Sequence, residues 1–439
     1  MKKLFVVAVT ALLVLTGCGS KSKDTPSASE PTVLKIAGLE GGYGNEGLEA
    51  VAKTFEETKG GTVKVELTLA KNITDVLRPQ IQAGDVPDVI HLSIGAEGKL
   101  TDTMIAEKNI EEISDVVTMK IPGEEVTVKD KVLPGFLESI RTQPYADGKT
   151  YLMPQNYSPL GLFYNEGLFA EKGWTVPTTW DEMFALGDKA KAEGIALFTY
   201  PTTGYFDGFF SSLLNATAGP DVYAKLMNYD EAAWKLPEVK EAFDIVGKLA
   251  TYTHQDTVAQ ANKEGFTKNQ QLILDNKALF IPNGTWLTEE MKDAPRTDSF
   301  KWGFTAIPKT TKDAYSSTFT EEMYIPKGAK NIDVAKEFLA FMYSDKAVEL
   351  LYTNGGAIQP TAKANSLIPA DDEKHLFYSV YDNGAKANTV GFVAHDAVEG
   401  VDLTSPEGIL YGTVNAVVSG QKTADQWYNE VVEAVAKFN

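Results

Sequence analysis

From Val33 to Leu92 the chain alternates between two hydrophobic periods, and that alternation narrows the folds open to it. Val33-Leu-Lys-Ile-Ala-Gly-Leu39 is apolar enough for a buried strand. Leu48, Val51, Ala52 and Phe55 then recur at helical spacing, one stripe of a helix that stops near Gly60-Gly61. Val63, Val65 and Leu67 alternate as a second strand. A helix from about Ile73 carries Pro79, which should kink it, and Pro87-Asp-Val-Ile-His-Leu92 is a third strand. Strand, helix, strand, helix, strand predicts an α/β fold with a parallel, doubly wound sheet, because parallel neighbours need a crossover.

The pattern starts afresh in the middle of the chain. Lys149 to Pro154 and Leu160 to Asn165 read as two short strands. Thr179-Trp-Asp-Glu182 is a capping box that opens a helix bearing Met183, Leu186 and Ala190, stopping at Gly194. Ile195 to Tyr200 is a buried strand, 205 to 277 is mainly helical, and Ala278-Leu-Phe-Ile281 returns to strand. Asn331 is expected to cap a helix bearing Val334, Phe338, Phe341 and Met342. Gly355-Gly356 ends the next helix, and Thr423 to Phe438 closes the chain as an amphipathic helix.

Ahead of this body stand Lys2 and Lys3, an uncharged run from Leu4 to Leu15, and then Leu15-Thr16-Gly17-Cys18. The run is too short to span a bilayer and has the length of a signal-peptide core. The pattern resembles the lipobox of bacterial lipoproteins. That implies loss of residues 1–17 and diacylglycerol modification of Cys18, the single cysteine among 439 residues, as mature N-terminus. Gly19 to Pro31, GSKSKDTPSASEP, has no apolar residue larger than alanine and is expected to be a flexible tether.

Loss of the leader leaves 422 residues, enough for two domains, and removing Lys2 and Lys3 takes the formal charge from -19 to -21. So acidic a body is a poor partner for nucleic acid, which is held by clustered Lys and Arg. It also offers no basic patch to anionic lipid, so membrane attachment is expected only through Cys18. No intramolecular disulfide can form, and the core alone must stabilise the body outside the cytoplasm.

Gly42-Tyr-Gly44-Asn-Glu-Gly47 fits G-x-G-x-x-G, follows a strand, opens a helix, and has Glu66 about 20 residues on. An exported protein meets little dinucleotide, and such glycines equally let a neutral ligand approach backbone N–H groups, so no cofactor is expected. His91, His254, His375 and His395 stand far apart without metal-ligand spacing, and neither G-x-S-x-G nor a P-loop lysine occurs. No metal and no catalytic residue is therefore assigned. Glu321-Glu322 and Asp371-Asp372 are adjacent, and neighbours on a strand face opposite ways, unlike a glycosidase pair. Glu321, flanked in sequence by Phe319 and Tyr324, is nevertheless a ligand-contact candidate. Tyr43, Tyr157, Tyr205-Phe206 and Trp286 all fall after predicted strands, where open α/β sheets bind ligands. Aromatic faces suit the C–H face of a sugar ring, and amides and carboxylates suit its hydroxyls.

In order, these motifs resemble the extracellular solute-binding proteins of carbohydrate ABC importers, the family that includes maltose-binding protein. Ala83-Gly-Asp-Val-Pro-Asp-Val89, Asp147-Gly-Lys-Thr-Tyr-Leu-Met-Pro154 and Phe163-Tyr-Asn-Glu-Gly-Leu-Phe169 carry the resemblance. Pro177-Thr-Thr-Trp-Asp-Glu182, Asn283-Gly-Thr-Trp286 and Val334-Ala-Lys-Glu-Phe-Leu339 extend it. It implies two lobes, 32–145 with 308–360 and 146–307 with 361–439, joined by a hinge round a ligand cleft. Crossovers would lie near Tyr145–Pro154 and Gly303–Pro308. It implies ligand contacts at Glu40, Gly41, Gly42 and Tyr43, at Ser93, and at Gln155, Asn156, Tyr157 and Ser158. Further contacts fall on Tyr205, Phe206 and Asp207 and on Asn283 and Trp286, and in the loop before the helix at Pro406 no stacking aromatic is evident, so Glu407, which stands there with Asp402, is the candidate instead. The loop Ser93-Ile-Gly95 lacks the tryptophan, aspartate and arginine of maltose-binding members, which argues against a maltodextrin.

The run Leu160 to Phe198 is most similar to the branch for N-acetylglucosamine and chitobiose-type sugars. The resemblance thus implies a monomeric, lipid-anchored, non-enzymatic receptor on the extracellular face of the bacterial cytoplasmic membrane, delivering an oligosaccharide to an ABC permease. The alternatives are the same fold with another sugar, a peptide, a polyamine or a metal, and a secreted glycan-active enzyme.

Overall fold

A computed structural model of the chain describes residues 30–438, apart from 41, 42, 146, 203, 204, 263, 311, 312, 394, 396, 397 and 406. The leader, Cys18, most of the tether, Gly41 and Gly42 lie outside the described residues. Three strands open the body: β1 (Thr32–Leu39), β2 (Val63–Ala70) and β3 (Val89–His91). β1 pairs in parallel with β2 from Thr32↔Val63 to Leu39↔Ala70, and with β3 from Ile36↔Val89 to Gly38↔His91. The helices Glu46–Thr58 and Ile73–Gln82 make the two crossovers, as the hydrophobic periods predict.

The remaining strands are β4 (Leu152–Asn165), β5 (Ala196–Phe198), β6 (Ala278–Gly284), β7 (Trp302–Thr305), β8 (Tyr315–Tyr324) and β9 (Lys386–Thr389). The order across the sheet is β2-β1-β3-β8-β4-β6-β5, with β7 on β4 and β9 on β8. Two long strands join its halves. β4 pairs with β8 through Leu152↔Tyr324 and Pro159↔Thr318, then with β6 and β7 beyond Leu160. β8 pairs with β9 at Tyr315–Thr318 and with β3 at Met323 and Tyr324.

The two short strands expected at Lys149–Pro154 and Leu160–Asn165 are one strand of 14 residues. Pro154 and Pro159 read locally as breaks, but Gln155, Asn156 and Tyr157 between them are buried, bonded to Gln359, to Glu321 of β8 and to Asn365 respectively. Burial holds the strand together, and a register shift between Pro154 and Tyr157 absorbs the irregularity. Asn331 stands at the helix start but does not cap it with its side chain. Its amide donates instead to the Val33 carbonyl (2.9 Å) and to Asp88 Oδ2 (3.1 Å). Buried Asp88 also accepts from the Lys35, Lys330 and Asn331 amides at 2.9–3.0 Å, fastening β1 to the turn before that helix.

The core lies on both sides of the shared strands. Phe55, Phe338 and Phe341 meet beneath β1–β3, Phe55 and Phe338 edge-on at 5.2 Å. At the other end, the closing helix Ala424–Val435 buries Trp427 against Phe210 (5.0 Å) and Phe243 (4.6 Å). The capping box forms as predicted, with Thr179 Oγ1 accepting from the Glu182 amide and Glu182 accepting from that of Thr179. Gly47 of the G-x-G-x-x-G run packs against Leu351, where an added Cβ would sit 3.3 Å from its Cα. At that position the motif lets two helices touch. No helix among the described residues is long and apolar enough to cross a membrane.

Candidate ligand-binding site

β8 organises the site through the two-residue repeat of a strand. Thr320 and Glu322 face inward, at 5% and 1% exposure, while Phe319 and Glu321 project to the opposite face. Phe319 is 37% exposed, one of three large hydrophobic side chains so open among the described residues. The two outward residues lie roughly 7 Å apart along the strand. Each anchors a cluster of different chemistry.

Around Glu321 the cluster is polar. Asn156 Nδ2 on β4 donates to Glu321 Oε2 (2.8 Å), and His91 Nε2, at the end of β3, lies 3.3 Å from the same oxygen. Burial alone would raise the Glu321 pKa, but His91 and Asn156 outweigh it and hold the carboxyl below its ordinary range. The carboxylate is therefore an acceptor at neutral pH. Tyr43 stands beside it, its hydroxyl pushed up by burial and by the Glu321 charge, with Ser158 acting in the other direction. Asn156 Oδ1 is buried with no hydrogen-bond partner among the described residues. A recess opens here, with Leu39, Leu48 and Leu69 beside Tyr43, Ser93 and Glu321. The Tyr43 loop rests on the end of the helix Asp345–Gly355, where a Cβ on Gly355 would come 2.6 Å from the Tyr43 carbonyl oxygen.

Around Phe319 the cluster is aromatic. Trp286, two residues past β6, stacks on Phe319 with centroids 5.8 Å apart and planes 29° apart. Tyr205 backs Trp286 at 5.9 Å, and Phe266 backs Tyr205 at 6.1 Å. Gly284 permits this, since any side chain there would overlap the Trp286 ring. Burial pushes the Tyr205 hydroxyl up to about 12, with Trp286 acting to lower it and the Glu290 carboxylate to raise it further. Gln270 Nε2 holds Glu290 in turn (2.8 Å). Tyr205 and Gly284 thus hold the Trp286 ring in place, and Phe319 is the exposed member of the platform.

The other sequence-predicted residues fall differently. Tyr157 and Phe206 belong to the core. Tyr157 is 1% exposed, packs edge-on against Phe136 and Tyr378 at 5.0 Å, and gives its hydroxyl to Asn365 Oδ1 (2.8 Å). Phe206 is fully buried on Phe210. A strand or helix start turns one of two adjacent residues inward, and here the apolar packing takes these two. Asn283 is also fully buried, its Oδ1 accepting from the Gly284 amide (2.8 Å), and Gln155 is buried with Oε1 accepting from Gln359 (3.1 Å). Glu40 faces Lys71 at 4.0 Å, and Glu407 is exposed. Asp207 opens the helix Phe206–Ala218, and desolvation raises its carboxyl from 3.8 to about 6 despite the Gly208 amide it accepts at 2.8 Å.

Two further residues of the site, His91 and Phe319, lie outside the sequence-predicted set. His91 is the last residue but one of the third predicted strand, and Phe319 stands two residues before Glu321, so both signals were in the sequence. Among the described residues no group of three His, Cys, Asp or Glu could hold a metal.

The arrangement offers a ring-stacking platform beside hydrogen-bonding groups. Comparison with known proteins gives the family. The family model described as bacterial extracellular solute-binding protein matches residues 41–349. The diacetylchitobiose-binding protein of Streptomyces coelicolor is 28% identical over 340 residues, 75% of this chain and 70% of that protein. A maltooligosaccharide ABC transporter solute-binding lipoprotein of Streptococcus pneumoniae is 24% identical over 380 residues, 82% of this chain and 80% of that protein. Among solved structures, a family 1 extracellular solute-binding protein from Bifidobacterium longum subsp. infantis superposes with TM-score 0.66 at 18% identity. The match covers 93% of this chain and all of that one. The fold is accordingly the two-lobed α/β fold of that family, with β4 and β8 running through both halves of the sheet. The chain belongs to the bacterial extracellular solute-binding proteins.

Proposed function

We propose that the protein binds an oligosaccharide at the β8 site and performs no chemistry on it. The observation that carries this reading is the pair Phe319 and Glu321 on one strand face, joining the Trp286–Phe319 platform to the Glu321–Asn156–His91 cluster. A pyranose ring stacks its C–H face on the aromatic group and gives hydroxyl protons to the carboxylate. The relative that binds diacetylchitobiose supports an N-acetylhexosamine unit. So does the recess, where an acetamido N–H would donate to Glu321 and its methyl would rest on Leu39 and Leu69.

Lobes of 32–145 with 308–360 and 146–307 with 361–439 would close round the sugar, flexing through β4 and β8. After loss of residues 1–17, a lipid on Cys18 would hold a monomeric receptor at the extracellular face, beside its ABC permease. The tether Gly19–Pro31 would reach at most ~45 Å when extended and typically ~20 Å as a coil.

A thermal-shift screen of the mature body against mono- and oligosaccharides, N-acetylated and not, tests the reading. A selective upward shift with an N-acetylhexosamine oligosaccharide, returned intact after incubation, is the expected result. No shift with any saccharide, or recovery of shorter products, would overturn it.

A further inference from the structure

Along one edge β8 changes partner. β9 occupies that edge at Tyr315–Thr318 and β3 at Met323–Tyr324, while β4 runs along the other edge. Between them, at residues 319–321, no strand among the described residues pairs on that side. The guanidinium of Arg141 fills the gap. Arg141 lies in the irregular segment before β4, is 11% exposed, and makes a bidentate pair with buried Glu322, Nε to Oε1 at 2.7 Å and Nη2 to Oε2 at 3.3 Å. It also donates to the carbonyls of Ile94 (3.0 Å), Val390 (3.3 Å) and Thr320 (3.4 Å). Glu322 in return accepts from the Ile94 amide (3.1 Å) and the Thr320 hydroxyl, and its carbonyl accepts from the Leu92 amide.

We propose that Arg141 is a positioning residue that pins the place where β8 passes from one half of the sheet to the other, and so aligns Ser93 with Glu321. Ile94 follows Ser93 directly, and Thr320 and Glu322 flank Glu321. Val390 immediately follows β9 in the other half of the sheet. One side chain therefore fixes the loop after β3, the turn of β8 that presents Glu321, and the end of β9. An arginine suits the position because its rigid fork serves a carboxylate and several carbonyls at once, whereas a lysine ammonium makes point contacts on a flexible stem. The inference rests on the ligand-site reading of Glu321 and Ser93 for its effect on binding, but not for the pin itself.

The test uses Arg141→Lys, Arg141→Met and the charge-free pair Arg141→Met/Glu322→Leu. The pair covers the case in which an unpaired buried Glu322 prevents folding, and in it only the Leu92 amide is read, because Glu322→Leu itself removes the acceptor of the Ile94 amide. Hydrogen exchange without ligand should quicken about tenfold or more at the Leu92 and Ile94 amides, while Leu34 and Ile36 of β1 stay within about threefold. Affinity for the saccharide found by thermal shift should fall about tenfold through faster dissociation, and Arg141→Lys should not rescue it. Trp286→Ala, a direct-contact change, should lower affinity without altering exchange at Leu92 and Ile94. Unchanged exchange at those two amides, or a uniform rise through the chain, would overturn the pin. If the unaltered protein binds no saccharide, the proposed function fails while the exchange measurement still decides Arg141.

Discussion

Glu321 meets two opposing effects in one side chain. Burial favours its neutral form, His91 and Asn156 favour the charged one, and the second effect prevails, so its pKa lies below the ordinary 4.5. A carboxyl lowered on folding adds stability above its unfolded pKa, and that stability is lost as pH falls through the folded value. Glu321→Gln should therefore flatten the acid limb of the stability curve below pH ~4.5. It should also weaken sugar binding by at least about tenfold, since a hydrogen bond to a charged acceptor is worth ~1.5–3 kcal/mol. Acid titration of unfolding and calorimetric titration of sugar check the two. Asp207 has the opposite sign. Its carboxyl, raised from 3.8 to about 6, costs stability once ionised, and stability should fall as pH rises through that interval. Asp207→Asn keeps the acceptor for Gly208 and should stabilise the protein at neutral pH by at most about 3 kcal/mol. Denaturant melts at pH 7 and pH 4 should show that gain at the first and not at the second.

Elements set by local pattern were legible in the sequence. The Leu48–Phe55 stripe, the Thr179–Glu182 box and the Gly356 stop each became the element expected, because the residues that determine them lie within a few positions of one another. Thr179→Ala should cost about 1 kcal/mol of stability in a denaturant melt, the usual worth of such a cap. What was not legible depends on pairing at long range. Pro154 and Pro159 predict breaks until β8 is laid beside them, and the long sequence separation between Arg141 and Glu322 hides their contact. The platform is similar: Tyr205, Trp286 and Phe319 come from three elements, and their ends meet only because β4 carries β6 on one side and β8 on the other. At Gly284, Ala should displace the Trp286 ring, lowering saccharide affinity and quenching the tryptophan response to ligand. An unchanged fluorescence titration would contradict the role given to that glycine.

The whole molecule is a two-lobed solute-binding protein whose halves share β4 and β8, the strands that carry Asn156, Phe319 and Glu321. The class was readable from the order of motifs, and the chemistry of the cleft was readable only in part, because aromatic residues after strands divide between core and surface by packing. Tyr157 and Phe206 went to the core, and Tyr43, Tyr205 and Trp286 to the recess and the platform. Binding energy should appear as stability: ligand at 100 times Kd adds ~2.7 kcal/mol, visible as a rise in Tm. Cys18→Ala should release the protein from the membrane and leave affinity of the body unchanged, read by fractionation and titration together. Most direct of all is a calorimetric titration of the mature body with a chitobiose-type oligosaccharide, run beside Phe319→Ala. Saturable one-to-one binding that weakens at least about tenfold on loss of the exposed ring is the predicted result. Equal affinity in the two proteins, or no binding of any saccharide to the unaltered one, would contradict a sugar site built on β8.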